Sequence, residues 1–469
     1  MDIAPDLLTV PAAFTSCYGV SALPARSGVV QRSVRNVPRL RRYAAIAAAA
    51  VTLEALAAVP LGIVAAMPAA GSQAVSQGWI SHIHWKSRQL APGVTVRSGV
   101  VSSRAVAERI SEAIIDPSRA RIEVTHDGIL ARRQLTSTVA RRLRALVAVN
   151  AGFFITSGAD GFPGAPTGLA VYGGRLESLN NGPRAALIIS HGRPRIAVAE
   201  ATAAVRAGQA ARAAQAAHLV NGINRIPGVI EDCGRPGGRP TAKPRQDVTC
   251  TDDDELVLFT SQLGAPAPSG PGSQAVLRPD GTVISAGART GGRVPAGGWL
   301  IQGIGAAAAW LAKHAVVGHR MAVTERAADA AGHPIPLSAG VTVASGAPLL
   351  VQNGHVAIDA VREGVIDPAD PSFNYSWARQ RQPRTAAGID RHGRVILVTI
   401  DGRQPGLSEG ATLSEEAALM RSLGAVEAMN LDGGGSTAMA INGTLFNHPS
   451  DPGGERADGD FIIADKVRS

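Results

Sequence analysis

Along the C-terminal third of the chain, short apolar runs alternate with turns marked by glycine and asparagine, and the period of each run predicts its element. Residues 394–400 read Arg-Val-Ile-Leu-Val-Thr-Ile. A near-continuous β-branched run of that length predicts a strand buried on both faces, ending at Asp401-Gly402-Arg403. Residues 385–390 predict the strand before it, with Arg391-His392-Gly393 turning the chain. If Asp390 and Arg394 flank that turn, pairing back along the hairpin sets Arg384 beside Ile400. A helix follows. Leu413, Ala417, Met420 and Leu423 share a face, Thr412 and Glu415 form a T-x-x-E capping box, and Gly424 stands where a C′ glycine belongs. Residues 425–431 predict the next strand, ending at Asp432. Segments 437–441 and 444–446 predict a hairpin around Asn442-Gly443, the favoured two-residue turn.

The order strand–loop–helix–strand over 394–431 predicts a βαβ unit, its strands parallel through a right-handed crossover. Upstream, residues 105–115 predict a helix stopped by Asp116-Pro117, and 121–125 a strand. Residues 134–146 predict a second helix, and 145–149 a buried strand ending at Asn150. The alanine-rich stretch 201–217 predicts a third helix, and 264–300 loops with short strands between. The fold class expected is α+β or mixed α/β: a mixed β-sheet whose C-terminal βαβ-hairpin unit carries the active site. Three regions are expected: a cytoplasmic N-terminal stretch with an export signal over 1–74, a small portion over 75–144, and the catalytic domain over 145–469.

The export signal rests on Arg39, Arg41 and Arg42 before an apolar run over 43–67, followed by small residues. The run is long enough either to be cleaved or to stay as a membrane anchor. Its presence places the catalytic portion outside the cytoplasm, secreted or anchored, and makes this segment the only expected contact with a membrane. Cys17 precedes the run; Cys233 and Cys250 follow it. An even pair in an oxidising compartment predicts one disulfide closing a Gly/Pro-rich loop.

Composition narrows the function classes. The net charge is +9, but only four of the 46 basic residues are lysine, and no basic stripe is interleaved with aromatics. A nucleic-acid partner is therefore not expected. Aromatics at 4% with 53 glycines and 30 prolines describe a loop-rich globular protein.

The same spacing gathers chemistry. Asp401 and Asp432 each follow the C-terminal end of a strand of the βαβ unit, so both fall on one edge of the sheet, where ligands bind in open α/β sheets. The hairpin adds Arg384. Beside Asp432 stand Gly433, Gly434 and Gly435, whose missing Cβ atoms let backbone N–H groups approach an anion. Gly406-Leu407-Ser408-Glu409-Gly410 fits G-x-S-x-G, yet Ser408 lies in an open loop and not on a strand-to-helix elbow, which excludes a serine-hydrolase reading.

Asn430-Leu431-Asp432-Gly433-Gly434-Gly435-Ser436-Thr437 resembles the hallmark of the phosphodiester glycosidase family. Further likenesses run in the family's order. They are 149–154 (Val-Asn-Ala-Gly-Phe-Phe), 166–169, 383–389 (Pro-Arg-Thr-Ala-Ala-Gly-Ile), 401–408, 412–416 and Glu455-Arg456. The resemblance implies an exported hydrolase cleaving a sugar–C1–O–phosphate bond, on cell-envelope or extracellular glycans. It implies catalytic roles for Asp432, Asp401 and Arg384. Asn150, Phe154, Gly433, Gly434, Gly435, Ser436, Thr437, Ser408 and Arg456 are the residues expected to bind substrate. A phosphate leaves easily, so positive charge around it matters more than a strong general acid. One carboxylate, Asp432 first, must activate water or stabilise the oxocarbenium-like centre. The motif requires no cofactor. A divalent metal, Ca²⁺ or Mg²⁺, remains open with unknown ligands, and the acidic run 252–255 reads either as a Ca²⁺ site or as a solvated strand entry. Two other functions stay open: a non-catalytic binder of envelope glycan, and a metal-dependent phosphodiesterase cutting P–O.

Overall fold

The computed structural model describes residues 77–102, 107–208, 216–231, 239–240, 249–364 and 375–466. The apolar run 43–67, Cys17 and Cys233 lie outside them. Among the described residues no helix is long and apolar enough to cross a membrane. Residues 70–469 belong to one compact unit.

The architecture is mostly β, with 47% strand against 13% helix, and this corrects the α+β expectation. One eight-stranded sheet runs in the order His84–Ala91, Val94–Ser102, Ala107–Ile115, Val395–Ile400, Arg384–Asp390, Ala425–Asn430, Leu349–Gln352, His355–Val356, every pair antiparallel. The strands before and after the helix Leu413–Ser422 are therefore not neighbours. Arg384–Asp390 lies between them, antiparallel to both, and no parallel βαβ pair forms. A second antiparallel sheet is built around Arg193–Ala207, Arg184–Ser190 and Val341–Ser345. A five-stranded sheet joins Thr444–Leu445, Met439–Ile441, Val147–Asn150, Phe461–Lys466 and Ala120–Thr125.

The apolar patterns explain the layering. Val395 and Leu397 enter one core with Leu187, Ile189, Phe259, Val149 and Ile462. Ile396, Val398 and Ile400 point the other way, onto Leu413, Ala417 and Met420 of the helix. A strand clothed on both faces has no use for polar alternation, which is why 395–400 is buried throughout. Residues 186–189 split the same way between two cores.

Two predicted helices are strands. Ala107–Ile115 is an inner strand between Val94–Ser102 and Val395–Ile400. Its glutamates, helix formers in isolation, are buried against arginines: Glu112 pairs with Arg97, and Glu108 with Arg381 at 3.2 Å. Arg193–Ala207 covers the first part of the alanine-rich stretch and pairs with three strands. Small side chains suit a crowded sheet face, and pairing overrides helix propensity. Residues 209–215 lie outside the described residues.

The local signals around the site appear as structure. Arg384 pairs with Ile400 in the hairpin. Thr412 accepts the Glu415 N–H at 3.1 Å, and Glu415 accepts the Thr412 N–H at 3.0 Å, a complete capping box. Gly424 has φ +93° after that helix. Asn442 and Gly443 turn the Met439–Ile441 hairpin at φ +51° and +80°, the left-handed values a type I′ turn requires.

Candidate active site

The strand Ala425–Asn430 delivers Asp432 to the seam between two sheets, where Asn150 holds the main chain. Asn150 is 1% exposed. Its Nδ2 donates to the Asp432 carbonyl at 2.6 Å, and its Oδ1 accepts from Thr385 Oγ1 at 2.9 Å and from the Ala438 N–H at 3.1 Å. The Asp432 N–H donates to the Ala151 carbonyl at 2.9 Å. Three segments distant in sequence, around residues 150, 385 and 432–438, are thus pinned together at this carboxylate.

Asp432 itself is partly exposed. Burial pushes its carboxyl up to about 6, and the Ser436 hydroxyl, Arg456 and the Gly433 N–H pull it back down. Asp458, 1% exposed, is held well above the ordinary carboxylate range by burial and then by the charge of Asp432. Among the described residues neither of its oxygens makes a hydrogen bond of normal geometry, and the buried Ser436 hydroxyl faces both carboxylates without completing one. Asp460, raised to about 6 by burial, accepts from Tyr172 Oη and the Gly152 N–H, each at 2.8 Å.

Two guanidinium groups stand against the triple glycine. Arg456 grips Asp451 with Nε at 2.8 Å and Nη2 at 3.0 Å. A Cβ on Gly435 would lie 2.1 Å from Asp451 Oδ1 and 2.2 Å from Arg456 Nη2, so this ion pair occupies the space a side chain would need. Gly434, at φ +61°, has Arg403 Nη2 3.1 Å from where a Cβ would be. A carboxyl titrating near neutrality beside two cations can exchange a proton while an anion is held next to it.

The other expected residues are placed as follows. Asp401 is 2% exposed. Its Oδ1 accepts from Asn447 Nδ2 and the His448 N–H, both at 3.0 Å, and its Oδ2 lies 2.9 Å from His448 Nδ1. Arg384 is 1% exposed, beneath the site. It donates from Nε to the Ala411 carbonyl at 2.9 Å and from Nη2 to the Trp377 carbonyl at 2.6 Å, with its guanidinium 5.3 Å from the Trp377 ring centroid. Its Nη1 has no hydrogen-bond partner among the described residues. Glu416, whose carboxyl burial pushes up to about 8, is drawn back by Arg384. Phe154 is 7% exposed, its Cβ 2.7 Å from where Gly459 would carry one. The half-buried neighbour Phe153 stands 5.9 Å from Trp377 instead. Ser408 is fully buried, its Oγ 2.8 Å from Glu108 Oε2 and 2.7 Å from the Asp401 carbonyl. Ser436 and Thr437 are buried too. The N–H groups of Gly434 and Ser436 are committed to the Pro383 and Gly433 carbonyls, at 2.9 and 3.2 Å.

Among the described residues no three His, Cys, Asp or Glu side chains are grouped to hold a metal ion. In the run 252–255, Glu255 is buried against Arg225 at 2.6 Å, and Asp254 accepts the Ala307 N–H at 2.8 Å in the first turn of the helix Gly305–His314. Cys250 is buried in the strand Thr249–Thr251.

Residues 272–464, which hold Asp432, Arg403, Arg456 and Asp458, match the family model described as phosphodiester glycosidase. This segment belongs to the phosphodiester glycosidase family. N-acetylglucosamine-1-phosphodiester alpha-N-acetylglucosaminidase of Mus musculus is 36% identical over 117 residues, 25% of this chain and 22% of that protein. The Homo sapiens protein of the same name is 35% identical over 112 residues, 24% of this chain and 21% of its own length. The match thus spans about a fifth of these curated relatives. The solved structure of a candidate exported protein from Burkholderia pseudomallei K96243 superposes with a TM-score of 0.68 at 32% identity, covering 77% of this chain and 75% of that one. A Synechocystis protein shares the fold, with a TM-score of 0.61 at 21% identity over 82% of this chain and 64% of that one. Residues 272–464 are a glycosidase-type hydrolase domain of this family.

Within this phosphodiester glycosidase domain, sequence reasoning passed over Arg403, His448, Asp451, Asp458 and Asp460. The Asp-Gly-Asp spacing at 458–460, just after Glu455-Arg456, was the available signal. Glu455 serves locally, accepting the Ser137 N–H and hydroxyl at 2.7 and 2.6 Å at the start of the helix Thr136–Leu143.

Proposed function

We propose that the chain hydrolyses the glycosidic bond between C1 of a sugar and a phosphodiester oxygen, outside the cytoplasm. The observation that carries this is Asp432: a partly exposed carboxylate held near neutrality, on a glycine turn flanked by Arg403 and Arg456. Asp432 activates the attacking water or steadies the oxocarbenium-like centre, and the two guanidinium groups meet the phosphate. Arg384 adds positive charge from beneath, and Phe153 with Trp377 offers the sugar an aromatic wall. Burial, and after it the charge of Asp460, raises the proton affinity of Asp432. The relatives named for an N-acetylglucosamine 1-phosphodiester support this substrate class. Export is supported by the apolar run 43–67 and by the Burkholderia neighbour, and a Cys233–Cys250 disulfide would suit that compartment.

The test is release of free sugar from a panel of sugar-1-phosphodiesters in ¹⁸O-labelled water by the full chain. Label is expected in the sugar, and Asp432→Asn is expected to abolish release while staying folded. Label in the phosphate would mean P–O cleavage and overturn the reading; so would the absence of sugar release from every diester.

A further inference from the structure

His448 follows Asn447, whose side chain bonds the Thr437 carbonyl just past the triple-glycine turn, and its own side chain is held by Asp401 and 54% exposed. Hydrogen bonds on the two residues Asn447 and His448 fix its place. Its neighbour Asn447 donates to the Thr437 carbonyl and to Asp401 Oδ1, each at 3.0 Å, and accepts the Met439 N–H at 2.8 Å. The His448 carbonyl accepts from Gln404 Nε2 at 2.9 Å, one residue from Arg403, which lies against Gly434. Three residues on, Asp451 fills the space beside Gly435. His448 is thus bracketed by the two arginine-bearing segments that line the glycine turn.

Among the described residues, the ring is tethered through Nδ1 alone. Buried Asp401 accepts the His448 N–H through Oδ1 and faces Nδ1 through Oδ2 at 2.9 Å, while the side chain is 54% exposed. A carboxylate in that position orients the ring with hydrogen on Nδ1 and leaves Nε2 as the nitrogen available to a ligand. Asp401 has both oxygens engaged in this way, so it reaches substrate only through His448.

We propose that His448, oriented by Asp401, is the catalytic residue that receives the departing phosphate. This rests on the glycosidase reading above. When the C1–O bond breaks, its electron pair stays on the phosphate oxygen, and the phosphate passes from one negative charge to two. The Nε2–H of the imidazolium donates to that oxygen and transfers its proton. Water adds to C1 and yields a proton to Asp432. That proton returns to His448 through solvent, so the enzyme is restored and one water is consumed per bond cleaved. Asp401 is the positioning residue.

His448 lies on the surface, so His448→Ala should fold. In the full chain its kcat on a cleaved sugar-1-phosphodiester is expected to fall about a hundred-fold, with KM moved far less, and added imidazole should restore part of the rate. A kcat within twofold of the original, or a loss that imidazole does not restore, overturns the proposal. A second arm stands apart from turnover: inorganic phosphate titrated into the full chain and into His448→Ala, followed by the His448 ring resonances. If the unsubstituted chain cleaves no diester, the glycosidase reading fails and this arm decides the role of His448. Phosphate affinity at least tenfold weaker in His448→Ala supports it, and unchanged affinity overturns it.

Discussion

Asn150 and Asp432 are 282 residues apart in sequence, and the side chain of the first carries the main chain of the second, Nδ2 to carbonyl, at 2.6 Å. The other side of the same amide is spent on Thr385 and Ala438. Asn150 therefore positions the candidate catalytic carboxylate and has little left to offer a sugar. Asn150→Ala strands three buried polar groups. A loss of about 2–4 kcal/mol of stability is expected by urea unfolding, with kcat reduced more than KM. A pure rise in KM at unchanged stability would return Asn150 to the sugar.

Asp432→Asn should separate stability from activity. The folded carboxyl titrates at about 6, above its ordinary value of 3.8. The native state therefore binds more protons than the unfolded chain between these values. The cost of keeping Asp432 charged is absent below pH 4, grows as pH rises through the interval, and is complete above about 6. Removing the charge should raise stability by about 1–3 kcal/mol at pH 7 and by nothing at pH 3.5. Urea unfolding at the two pH values checks the sign. The unsubstituted enzyme should show kcat/KM rising with pH through a limb near 6 that belongs to Asp432.

Gly435→Ala places a methyl group on the Asp451–Arg456 ion pair. Both obstructing atoms are ends of flexible side chains, so the fold should survive while Arg456 is displaced. Activity on a sugar-1-phosphodiester should drop at least about tenfold, the scale of losing a charge-assisted contact, with the unfolding midpoint nearly unchanged. Full activity would remove Arg456 from the phosphate side of the site.

Thr412→Ala opens the capping box of the helix that covers the outer face of the first sheet. The expected cost is about 1 kcal/mol, read by urea unfolding, with kcat little altered because the cap touches neither Asp432 nor Arg456.

What the sequence by itself determined is local. The Arg391-His392-Gly393 turn sets Arg384 opposite Ile400, Thr412 and Glu415 start the helix, and Asn442-Gly443 closes the last hairpin. Each depends on hydrogen bonds and dihedral preferences within a few residues, so each is legible without the rest of the chain. The triple-glycine turn after Asp432 belongs with them. Only the tertiary structure decided what surrounds it. Ala107–Ile115 carries a helical composition, yet it fills the gap beside Val395–Ile400, because inner-strand pairing and the Arg97 and Arg381 partners outweigh its propensity. Arg384–Asp390 enters between two strands expected to be adjacent. Packing and burial, which act across space and not along the chain, set Asp458 near Asp432 despite their like charge, spent Asp401 on His448, and sank Arg384 and Ser408 beneath the surface that Arg403 and Arg456 present.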